Sequence, residues 1–193
     1  ISMRVLFVNS THFPEDWQNL SNGSQRRKKL FFDAIKEIAE IDFLYYLQPE
    51  LDDLLHSRDR TARIEDDIAK YWDARVNLLL CHQEKFSPSL SKLQKHGEGV
   101  FNFFKQYLYL GTSGLAQVQF LERCLDRQPD LIFVQRLTSM PPLLLTKRAL
   151  PPIIFDLDDL AHIQLLRQLK NTRKLEHLFY CLYLPTCFWG EWV

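Results

Sequence analysis

RVLFVN at residues 4–9, NGSQRRKKLFFDAI at residues 22–35 and IDFLYYL at residues 41–47 are the stretches that decide the fold. The first is a short, unbroken apolar run, as expected for a central strand buried on both faces of a parallel sheet. A polar loop holding Pro14, Asn22 and Gly23 follows. Ser24 can cap a helix in which Leu30, Phe31, Ala34, Ile35 and Ile38 recur at helical spacing. The third stretch, rich in aromatic and branched residues, predicts a second strand. Together they form one β-loop-α-β unit, the opening of a doubly wound fold.

The same alternation continues outward. Residues 63–75 predict a helix and VNLLLCH, residues 76–82, a third strand. Residues 86–112 mix Ser, Gly, Lys and aromatics and predict an irregular or helical excursion. Leu115, Val118, Leu121 and Leu125 share one face of a helix that ends before Pro129. LIFVQ at 131–135 predicts a strand, 140–149 a short helix, IIFDL at 153–157 a further strand, and 160–170 another helix. Strands alternating with helices predict an α/β, Rossmann-like, doubly wound parallel sheet with helices on both faces.

At 193 residues with 46% hydrophobic content, the chain can build one sizeable core, so residues 3–193 are expected to form a single domain. Ile1 and Ser2, ahead of Met3, have the look of a cloning remnant. Basic and acidic residues balance at 24 each, so no global field draws the chain to nucleic acid or to an anionic membrane. Four cysteines (Cys81, Cys124, Cys181, Cys187) sit in apolar stretches without CxxC or histidine at metal-ligand spacing. They are expected to be reduced, mostly buried thiols of a cytoplasmic protein. No signal or transmembrane segment is expected: the apolar run of residues 5–8 is far too short for either. The asparagine triplets at Asn9 and Asn22 therefore carry no glycosylation argument. The tail LFYCLYLPTCFWGEWV, residues 178–193, carries six aromatic residues and is broken by Pro185. It predicts a buried segment whose packing partner has been cut away, with self-association through the exposed aromatics.

Two constellations could carry chemistry. Gly23 precedes the basic run SQRRKK, and a helix start with Arg26, Arg27, Lys28 and Lys29 nearby favours a phosphate or carboxylate. The blander and commoner reading is a solvated basic first turn. The spacing is neither a P-loop nor GxGxxG, so a nicotinamide or flavin dinucleotide has no support. In IIFDLDDLAH, residues 153–162, Asp156, Asp158 and Asp159 fall at the carboxyl end of a strand, where open α/β sheets place ligands. A carboxylate there can act as a base or orient a hydroxyl; helix capping is the structural alternative and needs only one of them. The run also suggests the DxDx[TV] of haloacid-dehalogenase-type phosphatases, but Leu160 stands where Thr or Val belongs, and that motif opens its fold instead of closing it. Arg136, just past LIFVQ, can face the same crevice or lie in solvent. His12, in the first loop, is equally ambiguous, and His56, His82 and His96 have no partner pattern.

Taken in order, these segments resemble the amino-terminal domain of family 4 retaining glycosyltransferases of the GT-B type. MRVLFVNS resembles that domain's first strand and NGSQRRKKLFFDAI its glycine loop and first helix. PDLIFVQRL is similar to the strand entering the active-site crevice, PPIIFDLDDLAH to the next strand and its catalytic loop, and LPTCFWGEW to the linker before the last strand. The resemblance covers most of residues 3–48 and 113–193 and does not extend over 50–112. It implies an acceptor-side domain, incomplete at its carboxyl end, lacking the donor half that binds most of a nucleotide-sugar. It further implies that Gly23 and Ser24 approach the donor phosphate and that Arg136, Asp159 and His12 line the acceptor crevice. Asp158 would stand roughly where many members carry a catalytic histidine. Sugar would pass to an acceptor hydroxyl with retention, without metal or cofactor. A stand-alone Rossmann-like binding or interaction domain without catalysis is the alternative.

Overall fold

The structure, a computed structural model, describes residues 3–10, 23–47, 49–83 and 114–156. Five strands lie within them: β1 (Met3–Asn9), β2 (Ala39–Leu47), β3 (Val76–His82), β4 (Leu131–Gln135) and β5 (Ile153–Asp156). All pair in parallel in the order β3-β2-β1-β4-β5. The chain winds outward in one direction from β1 to β3, returns, and winds the other way through β4 and β5. The expected α/β, Rossmann-like sheet is therefore present. Its strands were readable because a parallel strand covered on both faces is apolar at nearly every position.

Helices cover both faces. Helix α1 (Gly23–Ile35) joins β1 to β2, and α2 (Arg58–Trp72) joins β2 to β3 after a 3-10 stretch at Pro49–His56. Both pack on the face that carries Val5, Phe7, Ile41, Phe43 and Phe133, burying Phe32, Ile35, Ile64, Ile68 and Trp72. The opposite face carries Leu6, Val8, Leu44, Tyr46, Ile132 and Val134. It is covered by α3 (Leu115–Leu125) through Leu121, Cys124 and Leu125, and by the short α4 (Pro141–Leu145) through Leu143. Odd and even positions of β1 thus serve two separate cores, as the two-residue period of a strand requires.

Aromatic stacking sets the first core. Phe7 lies 5.0 Å from both Phe43 and Phe133, its register neighbours on either side, and Phe32 stacks on Trp72 at 4.1 Å. Such pairs add about 0.5–1.5 kcal/mol each beyond their burial. The demand for aromatics also fixes the roll of α1, and here the expected apolar face is corrected. Phe32 and Ile35 are buried and Phe31 packs beside them, whereas Leu30 and Ile38 are 68% and 60% exposed. Phe31 and Phe32 reach Phe7, which a helix rolled toward Leu30 could not do.

Other boundaries shift as well. α2 starts five residues before the expected 63 and stops at Trp72, where Asp73 adopts a left-handed conformation with φ 49° and ends the helix. The 3-10 stretch before it had no expectation. The short helix expected over 140–149 is confined to Pro141–Leu145, started by two prolines and stopped by extended Thr146. The last described strand covers Ile153–Asp156, and residue 157, also expected in it, lies outside the described residues. α1 begins at Gly23, so Ser24 falls within its first turn instead of capping it. The excursion at 86–112, the helix at 160–170 and the aromatic tail lie outside the described residues. Among the described residues no helix is long and apolar enough to cross a membrane. Cys81 and Cys124 are free and buried in the second core.

Toward its amino edge the sheet is fastened by Asp42, 1% exposed, which accepts from Arg127 at 2.6 Å and from Asn77 at 2.9 Å. The opposite, carboxyl edge carries a different polar cluster.

Candidate functional site

In a doubly wound sheet, ligands bind beyond the carboxyl ends of the strands, where the strand order reverses. Here that point lies between β1 and β4, adjacent parallel strands whose chain connections run to opposite sides. The residues there are polar yet buried: Asn9, Ser10, Gln135 and Ser139 are each at most 3% exposed. Burying polar groups costs free energy unless they are hydrogen-bonded, and the hydroxyls meet that condition among themselves. Ser10 Oγ lies 2.8 Å from Thr138 Oγ1 and 2.9 Å from Ser139 Oγ, joining the end of β1 to the turn after β4.

That turn opens with Arg136, whose backbone sits at φ 71° and ψ 151°. This region is close to glycine-only, and a side chain there costs about 1–3 kcal/mol. The surroundings impose it. The Arg136 amide donates to the Asp156 carbonyl at 2.9 Å as the last rung between β4 and β5, and the Arg136 carbonyl at once accepts from Ser139 at 3.1 Å to begin the 3-10 turn Leu137–Ser139. A chain that must leave a strand and turn within one residue has few conformations available.

α1 brings its basic run to the same edge. Arg26 and Arg27 are exposed, as a solvated first turn would be. Lys28 is not: it is 2% exposed, on the face that also buries Phe32 and Ile35. Its ammonium sits 5.7 Å from the centroid of the Phe43 ring. Among the described residues it meets no carboxylate or other hydrogen-bond acceptor. Burial, and secondly the positive charge of Arg136, lowers its pKa from the ordinary 10.5 to about 7. Two cations from opposite ends of the described chain therefore feel one another at this edge.

Asp156 closes the described part of the cluster. Its carboxylate pairs with Arg27 Nε at 3.5 Å and receives a long hydrogen bond from Gln135 Nε2, also 3.5 Å. The first turns of α1 and the carboxyl ends of β4 and β5 are linked in this way.

Of the residues singled out in the sequence, Gly23 is the first residue of α1, Ser24 follows it in the first turn, and Arg136 stands at the carboxyl end of β4. All three lie toward the carboxyl edge of the sheet. Asp158, Asp159 and His12 lie outside the described residues. The sequence marked Lys28 only as one of four basic residues near the helix start, with nothing to separate it from the other three, and Ser10, Thr138 and Ser139 were passed over entirely. Only the triplet of small hydroxylated residues flanking two strand ends could have pointed to them. Among the described residues no group of three or more His, Cys, Asp or Glu side chains is arranged to hold a metal.

Comparison with known proteins adds no relative: the chain matches no family model, no curated protein and no solved structure.

Proposed function

We propose that this chain is the acceptor-side domain of a retaining glycosyltransferase of the GT-B type, moving sugar from a nucleotide-sugar to an acceptor hydroxyl. Support comes from the ordered resemblance of its segments and from a doubly wound sheet whose polar cluster lies at the switch in strand order. The observation that carries the reading is Arg136. It is held in a conformation costly for any residue but glycine, at the point of the sheet where a substrate would lie. The turn would be served better by glycine, so an arginine in this place is explained by what its guanidinium does. In this reading Arg136 steadies the acceptor, Asp159 and His12 line its crevice, and Asp158 faces the reacting centre. Gly23 and Ser24 face the donor phosphates, most of the nucleotide being held by a second domain.

The test is turnover with a panel of nucleotide-sugars, comparing the 193-residue chain with the longest protein its gene encodes, and reading the product anomer by NMR. The chain alone is expected to transfer no sugar; the longer protein is expected to transfer with retention. Robust transfer by the chain alone would overturn the half-enzyme reading, and an inverted product would overturn the retaining mechanism.

A further inference from the structure

We propose that Ser10 is a positioning residue, whose hydroxyl latches the turn after β4 to the end of β1 and so fixes the backbone from which the Arg136 side chain departs. The inference concerns how the crevice holds its arginine. It rests on the proposed function only for the statement that the arginine is placed there to meet an acceptor.

The paired register of β1 and β4 runs to Val8 and Val134. Carried two residues further, it sets Ser10 beside Arg136, where β4 gives way to the turn. At that point side chains join the two strand ends. The single Oγ of Ser10 lies 2.8 Å from Thr138 Oγ1 and 2.9 Å from Ser139 Oγ, both within the range of a hydroxyl–hydroxyl bond. A hydroxyl has one proton and two lone pairs, so Ser10 can serve both neighbours at once. Ser10 and Ser139 are buried, so water does not readily replace these bonds when they break. Ser139 passes the restraint on: its Oγ meets Ser10 while its amide donates to the Arg136 carbonyl at 3.1 Å. On the other side, the Arg136 amide donates to the Asp156 carbonyl at 2.9 Å. Arg136 is thus held from both sides, at its amide by β5 and at its carbonyl, through Ser139, by the end of β1. A residue at φ 71° and ψ 151° requires this, because so sparsely populated a conformation persists only where its surroundings over-determine it. The turn Leu137–Ser139 does not supply the restraint alone, since a single turn fixes several dihedrals for each hydrogen bond it gains. Nor does packing ask for the hydroxyls: alanine or valine would fill these positions with no polar group to satisfy.

The experiment is a double-mutant cycle of Ser10→Ala and Arg136→Gly in the 193-residue chain, read by urea unfolding. Strain that loss of the latch has already released cannot be released again by glycine. Arg136→Gly is therefore expected to lower the unfolding constant about fivefold in the wild-type chain and less than about twofold beside Ser10→Ala. A hydrogen bond that serves stability alone leaves the two substitutions additive. Equal gains in both backgrounds, or no gain in the wild-type chain, overturn the proposal. Thr138→Val keeps the shape of the side chain and removes one of the two bonds to Ser10. It is expected to reduce the gain from Arg136→Gly in part, and an undiminished gain beside it is a refutation even where Ser10→Ala fails to fold. In the longer protein, Ser10→Ala is expected to raise KM for the acceptor about tenfold and KM for the nucleotide-sugar by much less. An unchanged acceptor KM overturns the positioning role. Coupling in the cycle without any sugar transfer by the longer protein leaves the latch standing and sinks the glycosyltransferase reading, so the two fail separately.

Discussion

Replacing Lys28 with methionine separates what the buried ammonium costs from what it does. The lowering of its pKa from 10.5 to about 7 is equivalent to about 5 kcal/mol of disfavour for the charged form in the fold. Below pH 7 the lysine is protonated in folded and unfolded chains alike, and the whole penalty is present. Above pH 7 the folded form sheds its proton while the unfolded form keeps it up to about 10.5. Stability from this group therefore rises with pH across that window. Cys124 acts in the opposite sense: burial raises its pKa from 9.0 to about 12, so the unfolded thiol ionises first and stability falls above pH 9. The clean interval for Lys28 is pH 7 to 8.5, over which the wild type should gain about 1.5 kcal/mol relative to the variant. Methionine fills a similar volume and needs no counter-charge. At pH 6.5 Lys28→Met should therefore be the more stable protein by about 1–4 kcal/mol, as when buried charges give way to apolar groups. Urea unfolding of both proteins at pH 6.5, 7.5 and 8.5 measures the difference, and groups that titrate elsewhere cancel in the comparison. Parallel stability curves for the two proteins, or a variant less stable than wild type at pH 6.5, would refute the argument that Lys28 is a buried charge held at a cost to the fold.

Arg136→Gly should relieve the strain at φ 71° and stabilise the fold by about 1 kcal/mol in urea unfolding; a destabilised variant would show that the side chain serves structure. Tyr46 is fully buried and its hydroxyl meets no hydrogen-bond partner among the described residues. Tyr46→Phe is therefore expected to stabilise by about 1 kcal/mol, and a loss of that size in the same assay would reveal a partner for the hydroxyl.

The sheet was legible because of where its strands lie. β1, β2, β3 and β4 are each sandwiched between helices or neighbouring strands, so their apolar runs stand out against any polar loop. α1 was legible as a helix but not in its roll. The spacing offers Leu30, Phe31, Ala34, Ile35 and Ile38 as one apolar stripe and Phe31, Phe32 and Ile35 as another, and periodicity alone does not choose between them. The choice is made by Phe7, Phe43 and Phe133, which come from three different strands and present an aromatic floor. Periodicity gives the existence of an amphipathic helix; the phase belongs to the surface that it meets.

The site was less legible for a related reason. Arg136 drew notice by its place after a strand, a property of sequence order, but its strain arises from two hydrogen bonds that pull the chain in different directions within one residue. No residue type marks that, and glycine, the one residue that would have, is absent. Lys28 carries the same letter as Lys29, one residue on, which pairs in the open with Asp33 at 2.6 Å. One step along a helix turns a side chain through about 100°, and here that step separates an exposed ion pair from a buried cation facing Phe43. Exposed charge is cheap and carries little information about function. Buried charge without a counter-charge is costly, and the cost is what makes it informative. The two lysines become distinguishable only when the roll of α1 is known, so the error in that helix's expected face and the oversight of Lys28 are one error. Had Phe32 been taken as the centre of the buried stripe, the residue one turn earlier on the same face would have been Lys28, and its charge would have stood out against the core.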